Sequence, residues 1–254
     1  MTGVLEGKVA IVTGASRCIG HAIARRYAQE GATVVICGRK PETLAEVAAE
    51  TDAAPGRLVP VPCHVGRADD ILRLVDSTEQ HFGRIDILVN NAATNIAQEP
   101  CLQTDEAKFD KMVEINLKSA FRLIQAIAPG MCARGSGSII NIASISGLKP
   151  QLYGMLYSMT KAALIMMTKS YALELGPKGV RVNAIAPGLI KTVLSEYYWG
   201  NEERLQQQLS KQPVKHIGHP EEIAELALLM ASDKSSYMTG QCVVVDGGVL
   251  LTSI

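Results

Sequence analysis

The sequence lacks charge imbalance, long apolar runs and closely spaced cysteines, and each absence removes a class of protein. Its 25 Lys and Arg residues equal its 25 Asp and Glu residues, so no long-range field would attract nucleic acid or an anionic membrane. No uninterrupted apolar stretch approaches the ~18 residues that a membrane helix needs. The six cysteines show no Cys-x-x-Cys spacing, which favours reduced structural thiols and no metal site.

Apolar residues make up 47% of the 254 positions, enough for a sizeable core in one large domain or two small ones. Short β-branched runs alternate with longer amphipathic stretches, which is typical of a parallel sheet with helices on both faces. We predict strands at residues 9–12, 33–36, 58–61, 85–90, 138–143, 180–186 and 242–245. We predict helices near 19–30, 42–50, 67–82, 105–134, 157–175 and 220–231, with a further helical segment within 192–211. The sequence thus predicts an α/β fold, a Rossmann-type doubly wound parallel sheet of about seven strands, as a single domain over residues 1–254.

A glycine-rich stretch follows the first predicted strand and opens the first predicted helix. It reads Thr13-Gly14-Ala15-Ser16-Arg17-Cys18-Ile19-Gly20. Glycines at such a place permit a tight turn and direct helix N-terminal amides at a pyrophosphate. A plain loop is the alternative, and the position between strand and helix favours dinucleotide binding.

The end of the second predicted strand carries basic residues where an NAD-binding protein carries an acid. The sequence there is Cys37-Gly38-Arg39-Lys40. A carboxylate would repel the 2′-phosphate of NADP, whereas a guanidinium binds it bidentately. Arg39, with help from Arg17 and Lys40, therefore favours NADP(H), unless Arg39 and Lys40 only solvate a surface turn.

A phenol and an ammonium lie one helical turn apart at Tyr157 and Lys161, on the same face of the predicted helix. A neighbouring cation stabilises phenolate and brings its pKa down from ~10 toward the working range. Ser144 lies thirteen residues before Tyr157, just past a predicted strand, at the strand end where open α/β sheets bind ligands. Tyr-x-x-x-Lys alone is common in helices, so it indicates a catalytic site only together with Ser144 and the predicted strand end.

These motifs occur together in an order and spacing that resemble the short-chain dehydrogenase/reductase family over nearly the whole chain. The set comprises the glycine turn, Asn90-Asn91-Ala92-Ala93, Asn116, Ser144, Tyr157, Lys161 and Pro187-Gly188. Segments at 63–66, 91–95 and 186–192 look like the carbonyl and dicarbonyl reductase branch of that family.

The resemblance implies a role for each of four catalytic residues. Tyr157 is expected to act as general acid in reduction and general base in oxidation, with Ser144 donating a hydrogen bond to the carbonyl oxygen. Lys161 is expected to lower the pKa of Tyr157 and bind the nicotinamide ribose, and Asn116 to hold a water that relays protons. Ser146 is the rival catalytic serine. Both serines also suit a turn, and Asn116 also suits a helix interior.

The resemblance and the motifs together give the residues expected to bind NADP(H): Gly14, Ser16, Arg17, Ile19, Gly20, Arg39, Lys40, His64, Val65, Asn91, Ala92, Ala93, Tyr157, Lys161, Pro187, Gly188, Ile190 and Thr192. Three positions depart from the family pattern. Cys18 and Ala93 replace glycines, and His64 replaces an aspartate that bonds the adenine. The turn would absorb the Cys18 side chain if its φ stayed negative; the thiol is either reactive beside a helix N-terminus or inert.

The resemblance also gives expectations for the substrate and the assembly. In the family, the 192–211 region folds over the substrate, and here it contains Tyr197-Tyr198-Trp199 in a chain that is only 4% aromatic. Further candidates for the pocket wall are Thr94, Asn95, Ile145, Leu148, Tyr153 and Leu189. A homotetramer is expected to form through the helices near 105–134 and 157–175, and through the last strand and helix. Residues 1–8 lack the pattern of a secretory signal, so we expect a cytoplasmic protein.

The sequence therefore predicts an NADPH-dependent oxidoreductase that interconverts a carbonyl compound (ketone, aldehyde or dicarbonyl) and its alcohol by hydride transfer. Its expected partners are a small-molecule substrate and further copies of the chain, with neither nucleic acid nor membrane. One alternative is a 3-oxoacyl-[acyl-carrier-protein] reductase. Another is a non-catalytic NADP-binding regulatory protein, which the departures at Cys18, His64 and Ala93 encourage.

Overall fold

The structure is a computed structural model that describes residues 3–50 and 54–252. In this part of the chain, all strands are parallel and form one sheet in the order β3-β2-β1-β4-β5-β6-β7. The strands are β1 (Val9–Thr13), β2 (Thr33–Gly38), β3 (Arg57–Pro62), β4 (Ile87–Asn90), β5 (Gly137–Ile142), β6 (Val180–Pro187) and β7 (Cys242–Val245). The predicted seven-stranded, doubly wound fold is confirmed.

The helices fill the segments between the strands, as the alternating pattern predicts. They are α1 (Cys18–Gln29), α2 (Pro41–Ala49), α3 (Ala68–Phe82), α4 (Glu106–Val113), α5 (Ser119–Arg134), α6 (Met155–Leu175), α7 (Glu196–Trp199), α8 (Glu202–Ser210), α9 (Pro220–Ala231) and α10 (Val249–Thr252). None of the described helices is both long and apolar enough to cross a membrane.

Helices cover both faces of the sheet and bury two apolar layers. One layer packs α1, α2 and α9 against the sheet, with the fully buried Tyr27 at its centre. The Tyr27 hydroxyl donates to the Ala227 carbonyl oxygen at 2.8 Å, so its polar end is satisfied inside the core. The other layer packs α3, α5 and α6 against the opposite face. A rigid central sheet results, and its strand ends carry the loops described below.

The two edge strands are less buried than the strands at the centre of the sheet. β1, β4 and β5 are buried almost throughout, whereas β3 alternates between exposed and covered residues and β7 is partly exposed throughout. β3 also contains Pro60 and Pro62, which lack the N–H that a central strand needs and so suit an edge.

The strand order reverses between β1 and β4, which are neighbours in the sheet but are separated by two strands along the chain. A crevice opens at the carboxyl ends of the strands at such a reversal, and ligands of open α/β sheets bind there. The glycine turn after β1 and the loop after β4 flank this crevice. The fold thus brings the predicted cofactor motifs to one edge of the sheet.

Candidate active site

Helix α6 and the end of β5 bring together Tyr157, Lys161 and Ser144. Ser144 forms a hydrogen bond with the Tyr157 phenol. The Lys161 ammonium donates to the Ile142 carbonyl oxygen at 2.7 Å and lies 5.6 Å from the centroid of the Tyr157 ring. The predicted pairing of phenol, ammonium and serine is therefore present as one cluster.

The loop after β5 distinguishes Ser144 from its rival Ser146. The Ser146 N–H donates to Ser144 Oγ at 3.1 Å, which leaves the Ser144 hydroxyl proton free for another acceptor. The Ser146 hydroxyl instead lies 3.5 Å from Gln151 Oε1. A Cβ on Gly147 would come within 2.7 Å of the Lys161 backbone, so glycine allows this loop to pack directly on α6. The geometry favours Ser144 as the serine that faces the phenol.

Burial dominates the electrostatics of this cluster. It raises the pKa of Tyr157 to about 12, against the smaller, opposing effect of the Ser144 hydrogen bond. Burial lowers the pKa of Lys161 to about 8, and only 2% of that residue is exposed. The resemblance implies that Lys161 lowers the pKa of Tyr157. In this structure the pKa of Tyr157 moves the other way, because desolvation penalises the phenolate.

Asn116 lies in a π-helical segment, Glu114–Lys118, that joins α4 to α5. Its side-chain amide pairs with the Thr94 backbone, accepting from Thr94 N at 2.8 Å and donating to Thr94 O at 2.9 Å. It also donates to Thr160 Oγ1 at 3.2 Å. The Asn116 side chain thus ties the loop after β4 to α6, next to Lys161. A π turn inside a helix is itself frequent at functional sites.

Close backbone packing explains the glycines of the turn after β1. Gly14 has φ +64°, and a Cβ there would lie 3.0 Å from Ala92 Cα. A Cβ on Gly20 would lie 2.5 Å from Asn91 Nδ2 and 2.6 Å from Gly14 O. Any side chain at 20 would therefore push the loop after β4 away from the turn.

Thr13 has a role in this site that its place in the glycine-rich motif does not predict. Its Oγ1 accepts from Asn91 N at 2.9 Å and from Ala92 N at 3.0 Å. The Asn91 side chain returns a bond to Thr13 O at 2.8 Å. These bonds join the loops after β1 and β4 into one unit. A threonine at the very end of a buried strand is the only signal the sequence offers for this.

Cys18 opens α1 with φ +53°, one of two positive values at non-glycine residues in the described chain. The suggestion that a negative φ would absorb this side chain is wrong, because the turn keeps the left-handed backbone that its glycine pattern requires. Among the described residues, no side chain caps the helix at Arg17. The first-turn amides of α1 are therefore available to an anion. Together with the glycine turn after β1 they form a cradle that fits a dinucleotide pyrophosphate.

The end of β2 lies against the same turn. A Cβ on Gly38 would be 3.6 Å from Ser16 Oγ, and Arg17, Arg39 and Lys40 are all exposed at this point. Three exposed cations thus belong to the two segments that meet at the end of β2, where an adenosine ribose lies in folds of this kind.

The remaining predicted cofactor residues lie on loops at the same edge of the sheet. The His64 N–H donates to Asp70 Oδ2 at 2.9 Å, and His64 Nδ1 accepts from Gly66 N at 3.1 Å, beside the buried Val65. Ala93 is partly buried between Ala92 and Thr94.

The loop after β6 follows a path fixed by contacts to the last strand. A Cβ on Gly188 would come within 2.6 Å of Asp246 Cα, so Pro187-Gly188 lies directly against the backbone that follows β7. Ile190 bridges to Gly218. Thr192 caps the 3₁₀ turn Val193–Ser195, and its carbonyl oxygen accepts from Trp199 Nε1 at 2.8 Å. The predicted helical segment within 192–211 is present as this turn plus α7 and α8.

Two cavities have linings that do not include Tyr157. One of about 450 Å³ opens at the amino ends of the strands, where Lys8 and Arg181 line it. The other, of about 610 Å³, is lined by Gln151, Tyr153 and Met159 beside the start of α6. The chemistry of the clustered tyrosine, lysine and serine, and not cavity size, identifies the candidate site.

Comparisons with known proteins agree with this architecture. The family model described as enoyl-(acyl carrier protein) reductase matches residues 14–250. The chain is 39% identical to the 3-oxoacyl-[acyl-carrier-protein] reductase FabG of Thermotoga maritima, over 97% of this chain and 99% of that protein. It is 38% identical to dehydrogenase/reductase SDR family member 4 of Homo sapiens, over 96% of this chain and 88% of that protein.

The fold also matches a solved relative that holds a nicotinamide cofactor. The structure of 7α-hydroxysteroid dehydrogenase complexed with NADH and 7-oxo glycochenodeoxycholic acid superposes with a TM-score of 0.92 at 33% identity, covering 96% of this chain and 94% of that one. The chain is thus an oxidoreductase that binds a nicotinamide cofactor and acts on carbonyl or alcohol groups. It belongs to the short-chain dehydrogenase/reductase family.

Proposed function

We propose that the protein is an NADPH-dependent reductase of ketones, aldehydes or dicarbonyls, of the carbonyl reductase branch. The hydrogen-bonded pair of Ser144 and Tyr157, with Lys161 beside them, is the observation that carries the proposal. A neutral phenol that retains its proton at pH 7, next to a second hydroxyl donor, is suited to protonating an oxygen on which negative charge develops.

In this proposal each residue of the cluster has one task in reduction. The nicotinamide, when bound, supplies the hydride to the carbonyl carbon. Ser144 donates a hydrogen bond to the carbonyl oxygen when the substrate replaces the phenol as its acceptor, while its Oγ keeps the bond from Ser146 N. Tyr157 then transfers its phenolic proton to that oxygen. Lys161 binds the nicotinamide ribose hydroxyls, and Asn116 holds the water through which the proton is replaced.

Preference for NADP(H) is supported by the cations at the end of β2. Arg17, Arg39 and Lys40 are exposed there, and residues 37–40 include no carboxylate that would repel a 2′-phosphate. The other residues expected to bind the cofactor, from the glycine turn, the loop after β4 and the loop after β6, lie at the same sheet edge.

The reaction is tested by following NADPH oxidation with a panel of ketones, aldehydes, diketones and 3-oxoacyl thioesters. Replacing Tyr157 by Phe removes only the phenolic oxygen, so we expect kcat to fall at least ~100-fold while the NADPH dissociation constant stays within about twofold. Wild-type rates in Tyr157→Phe would exclude the proposed proton donor. Tight NADPH binding with no turnover of any panel member would favour the non-catalytic regulatory alternative.

The cofactor preference is tested by Arg39→Asp. We expect the ratio of kcat/KM with NADPH to that with NADH to fall by ~100-fold or more, since a charge-assisted pair is lost and a repulsion is introduced. Arg25→Asp is the matched control, because Arg25 is an exposed arginine further along α1. Equal ratios in the two variants would rule out Arg39 as the selector.

A 3-oxoacyl-[acyl-carrier-protein] reductase is the second candidate. It is favoured by the description of the matching family model and by the relative from Thermotoga maritima. The discriminating measurement compares one 3-oxoacyl group on a carrier protein and on a small thiol. A kcat/KM at least ~10-fold higher with the carrier-linked substrate than with any simple carbonyl would support this candidate over the first.

We further propose that the enzyme works in the cytoplasm as a homotetramer. The six free cysteines support the location, because unpaired thiols suit a reducing compartment. Cell fractionation with a detectable fusion of the chain tests it, and recovery in a membrane or secreted fraction would contradict it.

A further inference from the structure

Gln151 connects the catalytic loop to the segment that follows β6. Its backbone N–H donates to Ser158 Oγ at 3.1 Å, which places it beside the first turn of α6. Its side-chain Oε1 lies 3.5 Å from Ser146 Oγ, and its Nε2 donates to the Tyr198 hydroxyl at 2.7 Å. Since Ser146 N also donates to Ser144, a continuous chain of polar contacts runs from Tyr157 to Tyr198.

Tyr198 is held at that point from several sides. Its ring packs edge-on against Tyr197 at 5.2 Å, and the following Trp199 is anchored to the Thr192 carbonyl oxygen. The side chain is half-buried, and burial raises the pKa of its hydroxyl, so the phenol is neutral at pH 7. Its oxygen accepts from Gln151, and the described part of the chain offers its proton no recorded acceptor. A positioned donor thus remains free.

We propose that Gln151 and Tyr198 form a second polar site for the substrate, in which Gln151 orients the Tyr198 hydroxyl to donate to a second oxygen beside the reacting carbonyl. Tyr198 is then a specificity-determining residue, and Gln151 is a positioning residue that acts through it. The preferred substrates carry two oxygens, as dicarbonyls and 3-oxoacyl groups do. This inference rests on the proposed reduction of carbonyl compounds, because the second contact is defined relative to that carbonyl.

The amide of Gln151 does more than fill space in this arrangement. Gln151→Met keeps the length of the side chain but cannot donate to Tyr198, so α7 loses its link to the loop before α6. Tyr198→Phe keeps the ring and removes both the accepting and the donating oxygen. Tyr197→Phe is the matched control, because Tyr197 lies on the same helix and its ring packs on Arg204 at 4.3 Å.

The positioning role is tested without catalysis through Trp199, which is the sole tryptophan of the chain. Acrylamide quenching of its fluorescence in the free full-length protein reports how firmly α7 is held. We expect the quenching constant to rise about twofold in Gln151→Met and in Tyr198→Phe, and to stay at the wild-type value in Tyr197→Phe. A wild-type value in Gln151→Met would overturn the positioning role, whatever the enzyme reduces.

The specificity role is tested with 2,3-hexanedione and 2-hexanone, which differ by one oxygen. We expect Tyr198→Phe to raise KM for the diketone about 10-fold, as a lost hydrogen bond of about 1.4 kcal/mol predicts, with kcat and the monoketone KM within about twofold. Gln151→Met should give the same pattern, and the double variant should add nothing further. Equal loss for both ketones, or an equal effect of Tyr197→Phe, would overturn this role.

Failure of the proposed function gives a different result from failure of this inference. If no carbonyl compound of the panel is reduced, the proposed reaction is wrong, and calorimetric titration of the NADPH-loaded protein with the diketone then decides the inference. Binding that weakens about 10-fold in Tyr198→Phe supports it. Binding that is unchanged, or that is absent from the wild-type protein, overturns it.

Discussion

At the scale of single residues, the buried charge of Lys161 lowers the stability of the fold. Its ammonium is almost fully buried, and its one recorded hydrogen bond goes to the Ile142 carbonyl oxygen. Burial disfavours the charged form, which is why the pKa of Lys161 falls from 10.5 to about 8. A fall of that size corresponds to about 3 kcal/mol of destabilisation while the lysine stays protonated.

Replacing Lys161 by Met should therefore stabilise the fold and abolish catalysis. Methionine fills a similar volume without a charge, so we expect the free energy of unfolding at pH 7 to rise by about 1–3 kcal/mol, less than the full burial cost because the bond to Ile142 is lost. Denaturant unfolding of the two proteins measures this, and NADPH oxidation measures the loss of activity.

The pH dependence gives the control for Lys161→Met. The folded protein releases the Lys161 proton near pH 8, whereas the unfolded chain keeps it up to pH 10.5. The cost of burial is thus fully present below pH 8 and disappears as the pH rises toward 10.5, so wild-type stability should approach that of the variant over this range. A stability difference that stays constant from pH 7 to pH 10 would contradict a charge effect.

Cys18 combines backbone strain with a thiol at the start of α1. A left-handed backbone costs a non-glycine residue about 1 kcal/mol, while glycine loses about 0.5–1 kcal/mol through the entropy of the unfolded chain. We therefore expect Cys18→Gly to change the free energy of unfolding by less than about 1 kcal/mol. The cradle should close more tightly on a pyrophosphate, lowering the NADPH dissociation constant several-fold, as calorimetry would detect.

Cys18→Ala separates the effect of the Cβ from the effect of the thiol. Alanine keeps the Cβ at φ +53° and removes only the sulfur. If the Cβ is what hinders the cofactor, Cys18→Ala should bind NADPH as the wild-type protein does. A gain in affinity equal to that of Cys18→Gly would show that the thiol itself was responsible.

At the scale of secondary-structure elements, the sequence predicts most of the fold because buried parallel strands leave an unmistakable pattern. Six of the seven strands begin within one residue of their predicted positions, and β4 begins two residues later, at Ile87. The π turn inside the predicted 105–134 helix could not be predicted, since its apolar positions still satisfy a helical period. Such a turn depends on long-range bonds such as that from Asn116 to Thr94.

In the candidate site, too, the sequence predicts the contacts between residues that are near in the chain and not those between distant ones. Tyr157 and Lys161 are predictable because one helical turn separates them along the chain. The roles of Thr13 and Gln151 are not, because Thr13 contacts Asn91 across 78 residues and Gln151 contacts Tyr198 across 47 residues. Those contacts exist only after the sheet has brought the loops to one edge.

At the scale of the whole molecule, α5 and α6 leave large apolar side chains uncovered. Phe121, Met166 and Leu173 are exposed by 48%, 61% and 80%, respectively. Large apolar side chains exposed together on two long helices are typical of an interaction site. The expected tetramer would bury these side chains, which gives a physical reason for the assembly that the resemblance implies.

We therefore expect light scattering after size exclusion to give a mass four times that of the chain. Aspartate at Phe121 or Met166 would have to be buried without a partner, so either variant should shift the mass to a dimer or monomer. Leu72→Asp is the control, because Leu72 is similarly exposed, by 52%, but lies on α3. A monomeric wild-type protein, or dissociation by Leu72→Asp alone, would contradict assembly through α5 and α6.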